Sequence, residues 1–170
     1  MRRFRRLCEQ HQNRIFTFAR YYLGNREDAE DVTQEVLLRL WEHGRQVPEP
    51  ELPAWLTRVA RNACVDVLRK RRTYPAAVGS DPGALVGAAA RGPGPDSLAE
   101  ASQFRQHLER ALQLLPEAQR AVLVLREVQG MKYEEISEFV DLPLNTVKVY
   151  LHRGRQALRG HLQGMGHDRI

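Results

Sequence analysis

Apolar residues recur along this chain at spacings of three and four, and two-residue alternation is scarce, which is the mark of helices rather than strands. In the stretch 26–43, Ala29, Val32, Val36 and Leu40 fall on one stripe. In 51–71, Leu52, Trp55, Leu56, Val59, Ala60, Ala63, Cys64, Val67 and Leu68 make one wide apolar face. With a further helix over 6–22, the first part of the chain reads as three helices. Asn25 is placed to cap the second, and acids such as Asp28 in its first turns suit the helix dipole.

From residue 97 the same periodicity resumes. Ser97 and Glu100 form a capping box, and the helix they open runs to about Leu114. Pro116 opens the next helix and Gly130 closes it. The stretch KYEEISEFVDLPLNTVKVYLHRGRQAL, from Lys132 to Leu158, then reads as two short helices around an Asp141-Leu142-Pro143 turn. Ile136 and Val140 form the inner face of the first, with Phe139 beside them. Asn145 is placed to cap the second, whose inner stripe is Val147, Leu151, Leu158 and Leu162.

Between these parts lies TYPAAVGSDPGALVGAAARGPGPD, rich in Gly, Ala and Pro and nearly uncharged. Such a segment buries too little to offset its ordering entropy and reads as a flexible linker. Stretched out it could reach about 80 Å. The expected architecture is therefore all-α: a helical domain over 1–73, a linker over 74–96 and a second helical domain over 97–164.

Charge adds direction to this picture. The 170 residues carry a net +5 with a pI near 9.6, a balance that suits an acidic polymer such as nucleic acid. The cations are focused. Residues 58–72 net +5, and residues 144–170 net +4 against −3 for 97–143. No apolar run approaches the roughly 18 residues that a membrane-spanning helix needs. The basic N-terminus lacks the apolar stretch of a signal peptide, so membrane insertion and export are not expected. Cys8 and Cys64 stand alone, and the six histidines lack ligand spacing, so neither a metal site nor a disulfide framework is expected.

Three faces emerge as candidates. The last helix carries Lys148, Val149, His152, Arg153, Gln156 and Arg159 opposite its apolar stripe, with Arg155 at the edge. A helix anchored on one side and cationic on the other has the geometry that enters a DNA major groove. The helix over 51–71 carries Arg58, Arg61, Asn62, Asp66 and Arg69 opposite its apolar face and ends in Lys70-Arg71-Arg72. Asp66, one turn from Asn62 and Lys70, reads as an orienting partner, and Cys64 as a buried thiol. The helix over 26–43 has the opposite character: Asp28, Asp31, Gln34, Glu35 and Leu38 make an acidic face with an apolar member. Nucleic acid would be repelled from it, whereas a basic protein surface would not. Gly-rich phosphate loops, HExxH and GxSxG are all missing, so no catalytic residues and no cofactor are assigned.

Three stretches, in this order, resemble bacterial sigma factors. DAEDVTQEVLLRLW is similar to their core-binding helix, AWLTRVARNACVDVLRKRR to the helix that handles the promoter −10 element, and LPEAQRAVLVLREVQGMKYEEISEFVDLPLNTVKVYLHRGRQAL to the helix-turn-helix that reads the −35 element. The small two-domain layout resembles the extracytoplasmic-function (ECF) class. The resemblance implies a sigma region 2-like bundle over 1–73 and a region 4-like domain over 97–164. It implies that Asp31, Gln34, Glu35, Leu38 and Trp41 grip the β′ clamp helices of core RNA polymerase. It assigns Arg58, Arg61, Asn62, Arg69 and Lys70 to the −10 region, and Lys148, Val149, His152, Arg153 and Arg155 to the −35 element. The loop EHGRQVPEPELP would capture an exposed base, and an anti-sigma factor would be a further partner in the cytoplasm.

At the start of the reading helix the family often has Gly-Thr-Val-Lys/Arg-Ser-Arg, where this chain has Asn145, Thr146, Val147, Lys148, Val149 and Tyr150. Val149 thus stands in place of a small polar residue and Tyr150 in place of a cation. The alternative from the residues alone is a conventional helix-turn-helix regulator that binds DNA without polymerase.

Overall fold

The structure is a computed structural model and describes residues 2–73 and 95–165. Seven α-helices account for most of these residues: α1 (Arg2–Leu23), α2 (Arg26–His43), α3 (Leu52–Thr73), α4 (Pro95–Gln113), α5 (Glu117–Glu127), α6 (Tyr133–Val140) and α7 (Leu144–Gly164). A 3-10 turn, Glu49–Glu51, leads into α3, and no strand occurs among the described residues. The all-α expectation holds. The linker reading falls almost wholly on residues outside those described, although α4 already begins at Pro95.

Local chemistry sets most of the boundaries. The Asn25 side chain accepts a hydrogen bond from the Asp28 N–H at 3.2 Å and starts α2. Gly130, at φ 68°, ends the α5 segment: its N–H reaches the Arg126 carbonyl at 3.1 Å and the Met131 N–H reaches Leu125 at 3.2 Å. Glu135 accepts the Lys132 N–H at 2.6 Å and caps α6. Two assignments are corrected. Helix α4 begins at Pro95, so Ser97 lies within its first turn and is not its cap. Asn145 does not cap α7; the helix starts at Leu144 with Pro143 at the cap position, leaving Asn145 inside the first turn. Proline's fixed φ is already suited to the entry of a helix, and no side-chain hydrogen bond is made there.

Helices α1, α2 and α3 pack on one another, and α5, α6 and α7 form the second unit with α4 laid along α7. Leu52, Leu56, Ala60, Ala63 and Cys64 of α3 are buried against Phe18, Tyr22, Val32 and Val36. In the second unit Ile136, Val147 and Leu151 are fully buried. The tethered reading leaves the two units without a shared face, but the structure gives them one: α1 packs on both α4 and α5, and the buried apolar cluster is continuous from Leu7 to Leu151. Helix α5 explains why. Ala121, Val122, Leu123, Val124 and Leu125 are all buried, so the middle of this helix is covered all round, by α6 and α7 on one side and by α1 on the other.

Candidate nucleic-acid and protein-docking faces

The outer face of α2 is built by a period that turns Ala29, Val32, Val36 and Leu40 inward. Asp31, Gln34, Leu38 and Trp41 are left exposed, and Glu35 is half-buried in an ion pair with Arg39 at 2.5 Å. Leu38 is 64% exposed and Trp41 45%. Two large apolar side chains thus stand uncovered among carboxylates, a composition that suits contact with another protein. Trp41 is held by an edge-on contact with Phe4 of α1, with ring centroids 4.9 Å apart.

On α3 the predicted cations share a side, but they are not equally available. Asn62 and Lys70 are exposed. The Arg58 guanidinium lies 5.7 Å over the Phe139 ring of α6. Arg61 is half-buried, and its Nε is buried without a hydrogen-bond partner. Arg69 pairs with Asp66 at 3.0 Å, which gives Asp66 the orienting role expected of it, toward Arg69 rather than Asn62 or Lys70. Arg71 turns away from this side to Asp28 and the Leu23 carbonyl, tying the end of α3 to the α1–α2 corner. Cys64 is fully buried, and burial raises its pKa far above the ordinary thiol value, so it stays a thiol and acts as core. The loop before α3 is tied down by an ion pair of Arg6 with Glu49 at 2.9 Å.

The α6–α7 pair supplies the third face. Asp141 adopts φ 53° at the turn, and the Ser137 hydroxyl donates to the Leu142 carbonyl at 2.5 Å, fixing how α6 hands over to α7. Val147, Leu151, Gly154 and Leu162 are buried, with Leu158 half-buried. Gly154 was missed in the apolar stripe because it has no side chain to count. It lies where α7 crosses α5, and a Cβ there would meet the Gln119 carbonyl at 3.6 Å. Lys148, Val149, His152, Arg153, Gln156 and Arg159 face outward together. Arg155 is different. Its Nε and Nη2 both donate to Glu127 Oε1 of α5, at 3.1 and 2.6 Å. The Glu127 bond above all raises the Arg155 pKa. The structure thus gathers four of the five predicted −35 residues on one open side and holds the fifth at its edge. Among the described residues no cluster of His, Cys, Asp and Glu could hold a metal ion.

An acidic face with uncovered apolar side chains on one helix and cationic faces on two others thus stand on one chain. Residues 7–74 match the model of sigma-70 region 2, and residues 105–158 match that of sigma-70 region 4. The ECF RNA polymerase sigma factor SigL of Mycobacterium tuberculosis is 32% identical over 164 residues, spanning 95% of this chain and 90% of the relative. SigE of Mycolicibacterium smegmatis, another ECF sigma factor, is 34% identical over 157 residues, 92% of this chain, which spans 60% of that relative's length. Among solved structures, a Bartonella quintana sigma factor RpoE in complex with the anti-sigma factor NepR shares the fold, with TM-score 0.75 and 23% identity over 99% of this chain and 100% of that one. The chain belongs to the ECF family of RNA polymerase sigma factors.

Proposed function

We propose that this chain is a transcription initiation factor that joins core RNA polymerase and directs it to particular promoters. The α2 face, with Asp31, Gln34, Glu35, Leu38 and Trp41, docks on the β′ clamp helices. The α3 side with Arg58, Arg61, Asn62, Arg69 and Lys70 holds the −10 region as its strands part. The α7 side with Lys148, Val149, His152 and Arg153 reads the −35 element, Arg155 flanking it. The domains that carry these roles are 1–73 and 97–164, joined by 74–96. The observation that carries the reading is the coexistence of uncovered Leu38 and Trp41 on an acidic helix with outward cations on α7. Nucleic acid accounts for the second face and not the first. Its place of action is the cytoplasm, where the polymerase works, and the described residues contain no helix long and apolar enough to cross a membrane. An anti-sigma factor is the expected inhibitor, as the solved relative is bound to one.

The deciding experiment is transcription from a promoter library by core polymerase with and without this chain. The expected result is a small set of transcripts that depend on the chain and share two upstream elements. Transcripts unchanged by the chain, beside sequence-specific DNA binding in the absence of polymerase, would instead indicate a conventional regulator.

A further inference from the structure

Arg155 stands apart from the other outward cations of α7, and Glu127, which sets it apart, has no part in the faces described above. Glu127 is the last residue of α5. A helix dipole favours cations at that end, so the carboxylate works against the helix that carries it. Its ion pair with Arg155 is about half exposed, 47% for the arginine side chain and 53% for the glutamate. A pair so open to water contributes little to stability. Neither the helix nor the fold accounts for a carboxylate at this place.

The geometry of the pair gives it another use. Arg155 Nε and Nη2 both donate to a single oxygen, Glu127 Oε1, at 3.1 and 2.6 Å. A guanidinium holds its N–H donors in a rigid plane. Gripped along the Nε edge, the group has its plane fixed and its Nη1 side turned away from Glu127. Arg155 lies two turns beyond Lys148 and one beyond His152, at the edge of the outward side. That is past the first turns of α7, where a recognition helix makes its base contacts, so the acceptor within its reach is a backbone phosphate. Phosphate contacts of this kind fix how a protein sits on the duplex. A tethered arginine has lost its side-chain freedom before DNA arrives, which favours contact in one direction. Its charge is also offset by the carboxylate. It therefore adds little to the general pull on phosphate that exposed Lys148, Arg153 and Arg159 exert.

We propose that Glu127 is a positioning residue for the DNA contact of α7: it holds Arg155 by the Nε edge, so that the Nη1 side meets one phosphate in one direction, and it restrains this arginine from pairing with any phosphate in reach. The proposal rests on the −35 reading of α7. On the promoter Arg155 makes its contact with Glu127 in place, so freeing the arginine gains little there. On random DNA the freed arginine gains a contact that the pair denies it. Glu127 thus widens the gap between promoter and random DNA without touching a base.

The test uses the full chain as wild type, Glu127→Ala, Glu127→Gln, Arg155→Ala and the Glu127→Ala, Arg155→Ala double variant. Without polymerase, binding to a random-sequence duplex is followed between about 50 and 200 mM salt. Glu127→Ala should bind more tightly than wild type, with a salt slope steeper by about 0.9, the mark of one more phosphate. Adding Glu127→Ala to Arg155→Ala should leave the slope where Arg155→Ala alone puts it. Glu127→Gln keeps an acceptor oxygen for the arginine and should fall between wild type and Glu127→Ala. With core polymerase, the ratio of affinity for a promoter selected by wild type to affinity for random duplex should fall severalfold in Glu127→Ala and recover in part in Glu127→Gln. Helix content by circular dichroism should be unchanged; should Glu127→Ala lose it, the isosteric Glu127→Gln decides alone by whether its slope steepens. An unchanged slope in the folded variant overturns the proposal. So does a steepening that persists without Arg155, or a promoter ratio that stays at the wild-type value. A wild-type holoenzyme that prefers no promoter refutes the promoter reading instead, and the slopes, measured without polymerase, still decide whether Glu127 restrains Arg155.

Discussion

Helices α3 and α7 are close in length, 22 and 21 residues, and each buries one side and lines the other with cations. Their cations are nevertheless in different conditions. On α7, Lys148, His152, Arg153 and Arg159 stand in solvent, and only Arg155 is engaged. On α3, Arg58 is stacked on an aromatic ring, Arg61 is half-buried, Arg69 is paired and Arg71 is a structural tie. Net charge therefore says little about readiness. Exposed cations can meet a rigid duplex as they are, whereas α3 must give up neighbours before it can follow a strand. That difference suits a reader of intact DNA and a holder of DNA that is coming apart.

The comparison has meaning only if polymerase brings both helices to DNA, so the sharpest way to break it lies on α2. Asp31→Lys with Glu35→Lys places like charge against a basic partner, an expected loss of a few kcal/mol, or at least about a hundredfold in affinity for core polymerase. Both side chains lie off the buried stripe, so the fold should survive. Pull-down of core polymerase measures it, and undiminished capture by a folded double variant would remove α2 from the interface.

Matched substitutions on the two helices sharpen the contrast. Arg153→Ala should weaken the complex with duplex promoter by about 1–3 kcal/mol if the side chain makes a bidentate base contact. If it meets only phosphate, the loss should be uniform across sequences and the salt slope about one unit shallower. Arg61→Ala with Arg69→Ala should leave core binding and duplex engagement largely intact. It should reduce strand opening, by about tenfold if each side chain meets one phosphate of the parting strand. Permanganate reactivity of thymines near −10 reports this, and normal reactivity in the double variant would cancel the role given to α3.

The packing that shields α3 also has a pH dependence. His11 of α1 is buried, and its pKa is lowered by that burial first and by Arg14 second. Its depressed folded value means that below the ordinary 6.5 the unfolded chain binds more protons than the folded one. Stability therefore falls as pH drops through and below that value. Burial pushes the Glu109 carboxyl the other way, above 4.5, and so opposes this loss at lower pH. Thermal melts from pH 7.5 down to 5.5 should show a decline that His11→Gln largely removes; equal declines would assign the effect to another group.

Much of this was legible in the chain, for physical reasons. Helix periodicity fixed α2 and α3 to within a residue or two because their apolar stripes face a single core. Cys64, Val147 and Leu151 were legible as core for the same cause. The shared face between the units was not, because the polar pairs that line it, Arg20 with Glu109 and Arg14 with Gln129, look like solvated residues in a string, and the apolar stripe of α1 gives no sign that it also covers α5. One signal was present: AVLVL at 121–125 has no polar side, and a helix apolar all round must be covered all round. Asn145 misled because Asn is a favoured cap in general, whereas the preceding proline had already set the helix entry. Pairing of Arg155 with Glu127 depends on a crossing of α5 and α7 that spacing along one helix does not encode.

The smallest effect is expected at Val149, and it asks whether α7 reads bases or only holds phosphates. Val149 is 43% exposed among cations and stands one position after Lys148 on the outward side. An isopropyl group has no hydrogen bond to give. If it faces a base pair, the partner it can recognise is the thymine methyl, by apolar contact. Val149→Ser removes that contact and substitutes a hydroxyl that can serve several bases. The preference at one −35 position should then relax or shift, while the salt dependence stays as it was, because no charge has changed. His152, one turn away, is the same in both chains and would not mask the shift. Selection from a randomised −35 library, run with core polymerase and the variant, measures it directly. An unchanged selected sequence would mean that Val149 does not touch the groove floor and that α7 lies on DNA by a different edge than the one its cations define.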